Sequence, residues 1–199
     1  MAQLAFFNDL PEGLRYEPEF MSSNDETSLI SEIQNIELKP FEFGQFEGKR
    51  RVAWFGWRYD YTERKLQKAS ELPAWIAPLA SKIDRFDGGK IAQVLVTEYE
   101  AETGIGWHRD KPHFDKLFGV SLSSPCKFRF RKKRQRWERF SLGAAPRSLY
   151  RMTDEARHLW EHSIPPVEEL RYSITLRTME SNANFRVFGR AENSHDGKD

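Results

Sequence analysis

The chain has 199 residues, with 31 Lys+Arg against 30 Asp+Glu, 39% apolar residues, fifteen Phe, six Trp and six Tyr. That length implies one domain with a sizeable core, and the aromatic supply excludes a disordered chain. A single cysteine, Cys126, excludes an intramolecular disulfide framework and a Cys-rich zinc site, and no apolar run approaches the roughly 20 residues of a membrane helix. The opening residues are broken by Asn8, Asp9 and Pro11 and make no signal peptide, so a cytoplasmic protein without a membrane partner is expected. The net charge of +1 conceals an asymmetry. Residues 1–47 hold ten acids against Arg15 and Lys39, a balance of −8, so the remainder carries +9. Eight of the thirteen positions 127–139 are basic, which points to a polyanionic partner.

Helical periodicity comes first along the chain. After Asn24, Asp25 and Glu26, which can cap a helix, Leu29, Ile30, Ile33 and Ile36 share a face. Residues 49–65 then interleave Lys49, Arg50, Arg51, Arg58 and Arg64 with aromatics, and the alternation of Trp57, Tyr59 and Tyr61 puts these three on one face of an extended segment. Aromatic platforms among cations suit splayed nucleotides, while an edge hairpin packing its aromatics on the core explains the pattern equally well. A second helix is expected from Pro73, with Leu72, Trp75, Ile76, Leu79 and Ile83 at helical spacing, a bend at Pro78 and an end at Gly88-Gly89.

From Lys90 the pattern changes to strands, expected at 91–99, 117–122, 126–131, 137–142, 148–152 and 172–178. Turns fall at Thr103-Gly104, through Gly106, at Ser123-Ser124-Pro125, from Gly143 to Pro146 and at Pro165-Pro166. Many short strands at regular spacing predict a sandwich or jelly roll. Within the basic run, Phe128 and Phe130 face inward opposite Lys127, Arg129 and Arg131, and Arg131, Lys132, Lys133 and Arg134 begin a hairpin tip held in solvent. Such a tip either guards a sheet edge or contacts phosphates. Residues 189–199 are a polar, loose tail.

The chemistry concentrates in three places. His108 and Asp110, two apart on an extended chain, project to the same side and can share a metal ion; His162 is the best third ligand. Two His and one carboxylate make the ligand set of non-haem Fe(II) oxygenases. On 171–177, Arg171, Ser173, Thr175 and Arg177 share one face and Tyr172, Ile174 and Leu176 the other. Two inward arginines need anions, which a dicarboxylate supplies in bidentate fashion. His158 and His162, four apart, offer a rival zinc pair on a helix, though without the Glu beside the first His that a metalloprotease needs. His113 reads as a loop residue and His195 as part of the tail.

His108-x-Asp110, His162 and Arg171-x5-Arg177, with Tyr99 nine residues before His108, together resemble the AlkB-like family of Fe(II)- and 2-oxoglutarate-dependent dioxygenases. The stretch Pro146-Arg147-Ser148-Leu149 through Met152-Thr153, Arg157 and Trp160-Glu161-His162 resembles that family's approach to its distal histidine, as found in branches related to the eukaryotic RNA-modifying members. The resemblance runs from about Val94 to Thr178. It implies an α+β fold with a mainly β core, a double-stranded β-helix (jelly roll) with N-terminal helices packed on it. Residues 1–199 would form a single dioxygenase domain, with helices and a nucleotide-binding lid in 1–89 and the jelly-roll core in 90–180. His108, Asp110 and His162 would hold Fe(II); Arg171 and Arg177 would bind 2-oxoglutarate, helped by Tyr99, Thr97 and Ser173; O2 is the oxidant. Gly56-Trp57-Arg58-Tyr59 is similar to a lid segment of the family. The implied activity is oxidative removal of N-alkyl groups from bases in DNA or RNA, single-stranded or flipped, releasing succinate, CO2 and formaldehyde.

Thr97 and Ser173 stand where the family places Asn, and both keep hydrogen-bonding capacity. Lys111, Pro112 and His113 follow Asp110 where repair members carry acids that help read the base, which leaves room for a tRNA base hydroxylase or a protein side-chain demethylase. A non-catalytic RNA-binding jelly roll is the third reading. No obligate protein partner is evident.

Overall fold

The change of pattern at Lys90 is the change from helix-and-edge to core. In a computed structural model, which describes residues 10–43, 46–60 and 63–179, the second half forms β5 (Ile91–Tyr99), β6 (Ile105–His108), β7 (Phe114–Leu122), β8 (Cys126–Lys133), β9 (Trp137–Ala144), β10 (Leu149–Met152), α3 (Asp154–His158), β11 (Glu161–Ile164) and β12 (Arg171–Met179). The six strands expected here are all present, with ends moved by at most three residues. Ile105 and Gly106, expected in a turn, instead open β6.

The first half holds β1 (Leu14–Glu17), α1 (Ser23–Gln34), β2 (Lys39–Phe43), β3 (Phe46–Asp60), β4 (Lys65–Lys68), a 3-10 turn at Ala74–Ile76 and α2 (Ala77–Asp87). It therefore contributes strands as well as helices. The cap of α1 is Ser22 rather than Asn24 to Glu26: the Asp25 amide donates to Ser22 Oγ at 3.1 Å and the Ser22 amide to Asp25 Oδ2 at 3.2 Å, a capping box. Pro78 does not bend α2 but sits in its first turn, where the missing N–H has no partner to lose, and Leu72 lies outside both helical pieces. Ile36 likewise falls beyond the end of α1, packed partly buried against the core.

Among the described residues every pair of named strands is antiparallel. The large sheet runs β1-β10-β7-β12-β5-β3-β2 with β4 on β3, and the small sheet runs β6-β11-β8-β9. One core lies between the helices and the large sheet, where Ile33, Ile76 and Ile83 meet Val94, Val96, Ile174 and Leu176. The other joins the sheets, with Leu117, Tyr150 and Met152 of the large one against Phe128, Phe130 and Ile164 of the small one. This is the jelly roll with N-terminal helices packed on it. No described helix is long and apolar enough to cross a membrane.

Candidate metal centre

Period-two alternation on β12 decides the site. Tyr172, Ile174 and Leu176 belong to the helix-side core, so Arg171, Ser173, Thr175 and Arg177 point between the sheets. Arg171 is 0% exposed and Arg177 7%. Strand β12 lies between β5 and β7, placing Arg171 opposite Tyr99 and Ser173 opposite Thr97.

The small sheet brings the histidines together. Strand β11 pairs with β6 so that His162 lies opposite His108, with ring centroids 4.3 Å apart. One ligand atom from each of His108, Asp110 and His162 lies within 4.8 Å of the others, which is the geometry of a metal site. The His108 ring bonds the Gly106 carbonyl through Nδ1 at 2.9 Å, which fixes the proton there and leaves Nε2 with a lone pair for a cation. Burial, and then the neighbouring His162, push the His108 pKa down to about 4, so the imidazole is neutral. Burial opposes ionisation of Asp110, yet the Arg177 guanidinium and the adjacent His162 hold its carboxyl well below the usual range. Asp110 Oδ2 and His162 Nδ1 are buried without a hydrogen-bond partner. An ionised carboxylate beside the neutral His108 imidazole and a second ring at His162, with donor atoms left over, fits a divalent cation. His158 ends α3 while His162 lies in β11, so the two do not form a helical zinc face.

Beside this cluster is a cavity of about 560 Å³ lined by Thr97, Tyr99, Tyr150, Thr175 and Arg177 together with the three ligand residues. Arg171 and Ser173 are not in the lining; Arg171 meets it through Tyr99, whose ring lies 5.1 Å from the guanidinium. Arg171 donates from Nε and Nη2 to Ser121 Oγ at 3.3 and 3.2 Å, and its Nη1 is buried with no partner. A buried guanidinium met by a hydroxyl and a ring lacks a counter-charge, and a carboxylate supplies one. Arg177 differs: Nη2 donates to Asp110 Oδ1 at 2.6 Å and Nη1 to Gln93 Oε1 at 2.7 Å. The signal missed in the sequence is Tyr150, an inward residue of β10. A Cβ on Gly119 would lie 2.0 Å from its ring, so only glycine lets the phenol cross β7.

The lining also has an aromatic and basic part, Phe41, Arg50, Trp54, Tyr59, Trp107 and Lys111. Tyr59 stacks on His113 at 5.7 Å with Lys111 Nζ 4.4 Å from its ring, so the loop after Asp110 closes against β3. Trp57 is not in the lining, and Tyr61 lies outside the described residues, as does His195 with the tail. Alternation does not carry across the whole of β3, which kinks at Gly56, with φ +77° and its Cα so near β5 that a Cβ would lie 2.1 Å from the Ala92 carbonyl oxygen. Trp54 before the kink and Tyr59 after it thus reach the same cavity despite odd spacing.

The basic tip is corrected most. Lys132 is buried at 6% exposure, bonded to Glu155 at 2.5 Å with Glu138 at 3.8 Å, and packs over Trp160. Arg134 joins the same two acids, and Arg131 bonds Glu161 at 2.6 Å. Arg131, Lys132, Lys133 and Arg134 do not line the cavity.

A family model described as the 2OG-Fe(II) oxygenase superfamily matches residues 13–186. The chain is 26% identical to "Uncharacterized protein L905" of Acanthamoeba polyphaga mimivirus, over 81% of this chain and 82% of that protein. It is 26% identical to the "Alkylated DNA repair protein ALKBH8 homolog" of Arabidopsis thaliana, over 77% and 51%, and 30% identical to the "tRNA (carboxymethyluridine(34)-5-O)-methyltransferase ALKBH8" of Mus musculus, over 79% and 25%. The chain thus spans about half of the plant protein and a quarter of the mouse one. Among solved structures, "The structure of OsALKBH1" superposes with a TM-score of 0.65 at 14% identity, over 85% of this chain and 98% of that one. A prolyl hydroxylase from Trichoplax adhaerens, solved with a hypoxia inducible factor peptide fragment, superposes at 0.60 with 15% identity, over 84% and 83%.

Proposed function

The chain belongs to the 2OG-Fe(II) oxygenase superfamily, an oxidoreductase whose cofactors are Fe(II), 2-oxoglutarate and O2, and from that premise we propose that it oxidatively removes N-alkyl groups from bases in single-stranded or flipped nucleic acid. On this reading His108, Asp110 and His162 hold the iron, and Arg171 takes a carboxylate of 2-oxoglutarate, with Tyr99, Thr97 and Ser173 around it. Arg177 orients Asp110, and its Nε, buried without a partner, is left for the co-substrate. When bound, the cofactors couple decarboxylation of 2-oxoglutarate to succinate and CO2 with insertion of one oxygen atom of O2 into a substrate C–H bond. If that carbon is an N-methyl group, the hydroxymethyl product loses formaldehyde and returns N–H.

The chain's own residues do the rest. Phe128, Tyr150 and Leu117 wall the cavity and exclude water. The observation that carries the substrate assignment is the lining itself, where Phe41, Trp54, Tyr59 and Trp107 stand among Arg50 and Lys111: an unstacked base needs aromatic neighbours and its phosphate needs cations. A single buried cysteine fits a reducing compartment, and we place the protein in the cytoplasm. The test is release of succinate and formaldehyde from methylated DNA and RNA oligonucleotides with and without 2-oxoglutarate.

A second reading, hydroxylation of a tRNA base, is favoured by Lys111, Pro112 and His113 after Asp110 and by the similarity to the mouse protein. The same assay separates the two, since hydroxylation yields succinate without formaldehyde.

A further inference from the structure

The β8–β9 hairpin has two faces of opposite character. On one, Lys132 and Arg134 are met by Glu138 and Glu155. On the other, Lys127, Arg129, Arg131 and Lys133 of β8 stand beside Arg139 of β9, and Glu161 is the one acid at the strand positions of that face. Because Cys126, Phe128 and Phe130 are buried, the alternate cations necessarily point away from the core. Five cations against one acid leave a concentrated positive surface on a protein of net charge +1.

Two indoles are set into this row. Arg129 and Arg131 lie over Trp107 at 5.1 and 4.4 Å, and Arg131 and Lys133 over Trp137 at 4.8 and 5.7 Å. Trp107 also lines the cavity and directly precedes His108, so the row starts at the metal centre and leads outward. Trp137, at its far end, is 39% exposed. A merely solvated edge has no use for an exposed indole between cations, whereas alternating planar faces and positive charges match the repeat of an unpaired strand.

Resting on the nucleic-acid reading above, we propose that the outer face of the small sheet is the track for the phosphate backbone of a single-stranded nucleic acid whose reacting base occupies the cavity, with Trp137 stacking a base further along. The cations that contact phosphate are then Lys127, Arg129 and Arg139, not the acid-paired Lys132 and Arg134.

The test is equilibrium binding of a methylated single-stranded RNA oligonucleotide to the full chain between about 50 and 200 mM salt. Lys127→Glu/Arg139→Glu should flatten the log–log salt slope by about 1.4, roughly 0.7 for each lost phosphate contact. Trp137→Ala should weaken binding about tenfold with the slope unchanged. Lys127→Gln/Arg139→Gln is the gentler pair in case charge reversal disturbs folding, which the thermal shift given by 2-oxoglutarate monitors. A wild-type slope in the charge variants overturns the track and leaves the dealkylation reading intact. Binding through this face without turnover of any nucleic acid keeps the track and overturns that reading. A wild type that binds no oligonucleotide overturns both.

Discussion

Arg177 and Asp110, 67 residues apart in the chain, form a 2.6 Å ion pair with both side chains nearly closed to solvent. The strand that carries the buried arginines therefore also fixes the orientation of the carboxylate in the metal cluster. Both terminal nitrogens of Arg177 are engaged within the protein, while Arg171 keeps Nη1 without a partner. Six residues apart on one strand, the two arginines have different electrostatic situations.

Arg171→Met should raise the dissociation constant for 2-oxoglutarate by about 100-fold, the loss expected for a charge-assisted hydrogen bond from a buried guanidinium. The protein without co-substrate should lose little stability, since a buried charge with no counter-ion is removed together with its desolvation cost. Thermal melts with and without 2-oxoglutarate check both parts: the ligand-induced shift disappears and the unliganded Tm holds or rises.

Gln93 is 1% exposed and uses both ends of its amide, accepting from Arg177 Nη1 at 2.7 Å and donating to the Trp57 carbonyl at 2.5 Å. Gln93→Leu should weaken Mn(II) binding about tenfold by releasing the arginine that orients Asp110. Gln93→Glu, which keeps an acceptor for Arg177, should recover most of that affinity while still lacking the donor to β3.

Gly56→Ala places a Cβ 2.1 Å from the Ala92 carbonyl oxygen in a backbone with φ +77°. A cost of about 1–3 kcal/mol follows from strain of this kind, readable in urea unfolding. Because the kink aims both Trp54 and Tyr59 at the cavity, the KM for substrate should rise more than that for 2-oxoglutarate.

These positions mark where the sequence was legible. The His108-x-Asp110 pair and the face shared by Arg171 and Arg177 depend on a period of two over a few residues, which local spacing displays directly. The same rule puts Tyr172, Ile174 and Leu176 on the opposite face, which the structure buries against the helices. It does not carry across β3, where the kink at Gly56 brings Trp54 and Tyr59 to one cavity at odd spacing, and it says nothing of distance, so Trp57, on the same face as Tyr59, still lies outside the lining. It also missed the pairing of Lys132 with Glu155, 23 residues away, because a charge run shows its own sign and not the acids that another element brings to it. Ser22 does not stand out as the cap because it opens an unbroken polar run through Ser28, within which only backbone geometry identifies the cap.

That pairing makes a pH prediction. The hydrogen bond from Lys132 lowers the Glu155 carboxyl; its burial opposes this, and the charges of Lys132 and Arg134 add to the lowering. A depressed carboxyl stabilises the fold fully above the ordinary value of about 4.3 and stops doing so as pH falls through the lower folded value. Glu155→Gln should therefore lower Tm at neutral pH, and the gap to wild type should close as the pH drops below about 4, followed by circular dichroism melts.

The most direct measurement is turnover of a single-stranded oligonucleotide carrying one N-methylated base, following formaldehyde, succinate and the repaired base together. The expected result is all three products in equal amounts, dependent on 2-oxoglutarate and Fe(II), and abolished by His108→Ala or Asp110→Ala. Succinate formed at the same rate whether or not methylated DNA or RNA is present, with no base altered, would contradict nucleic-acid dealkylation.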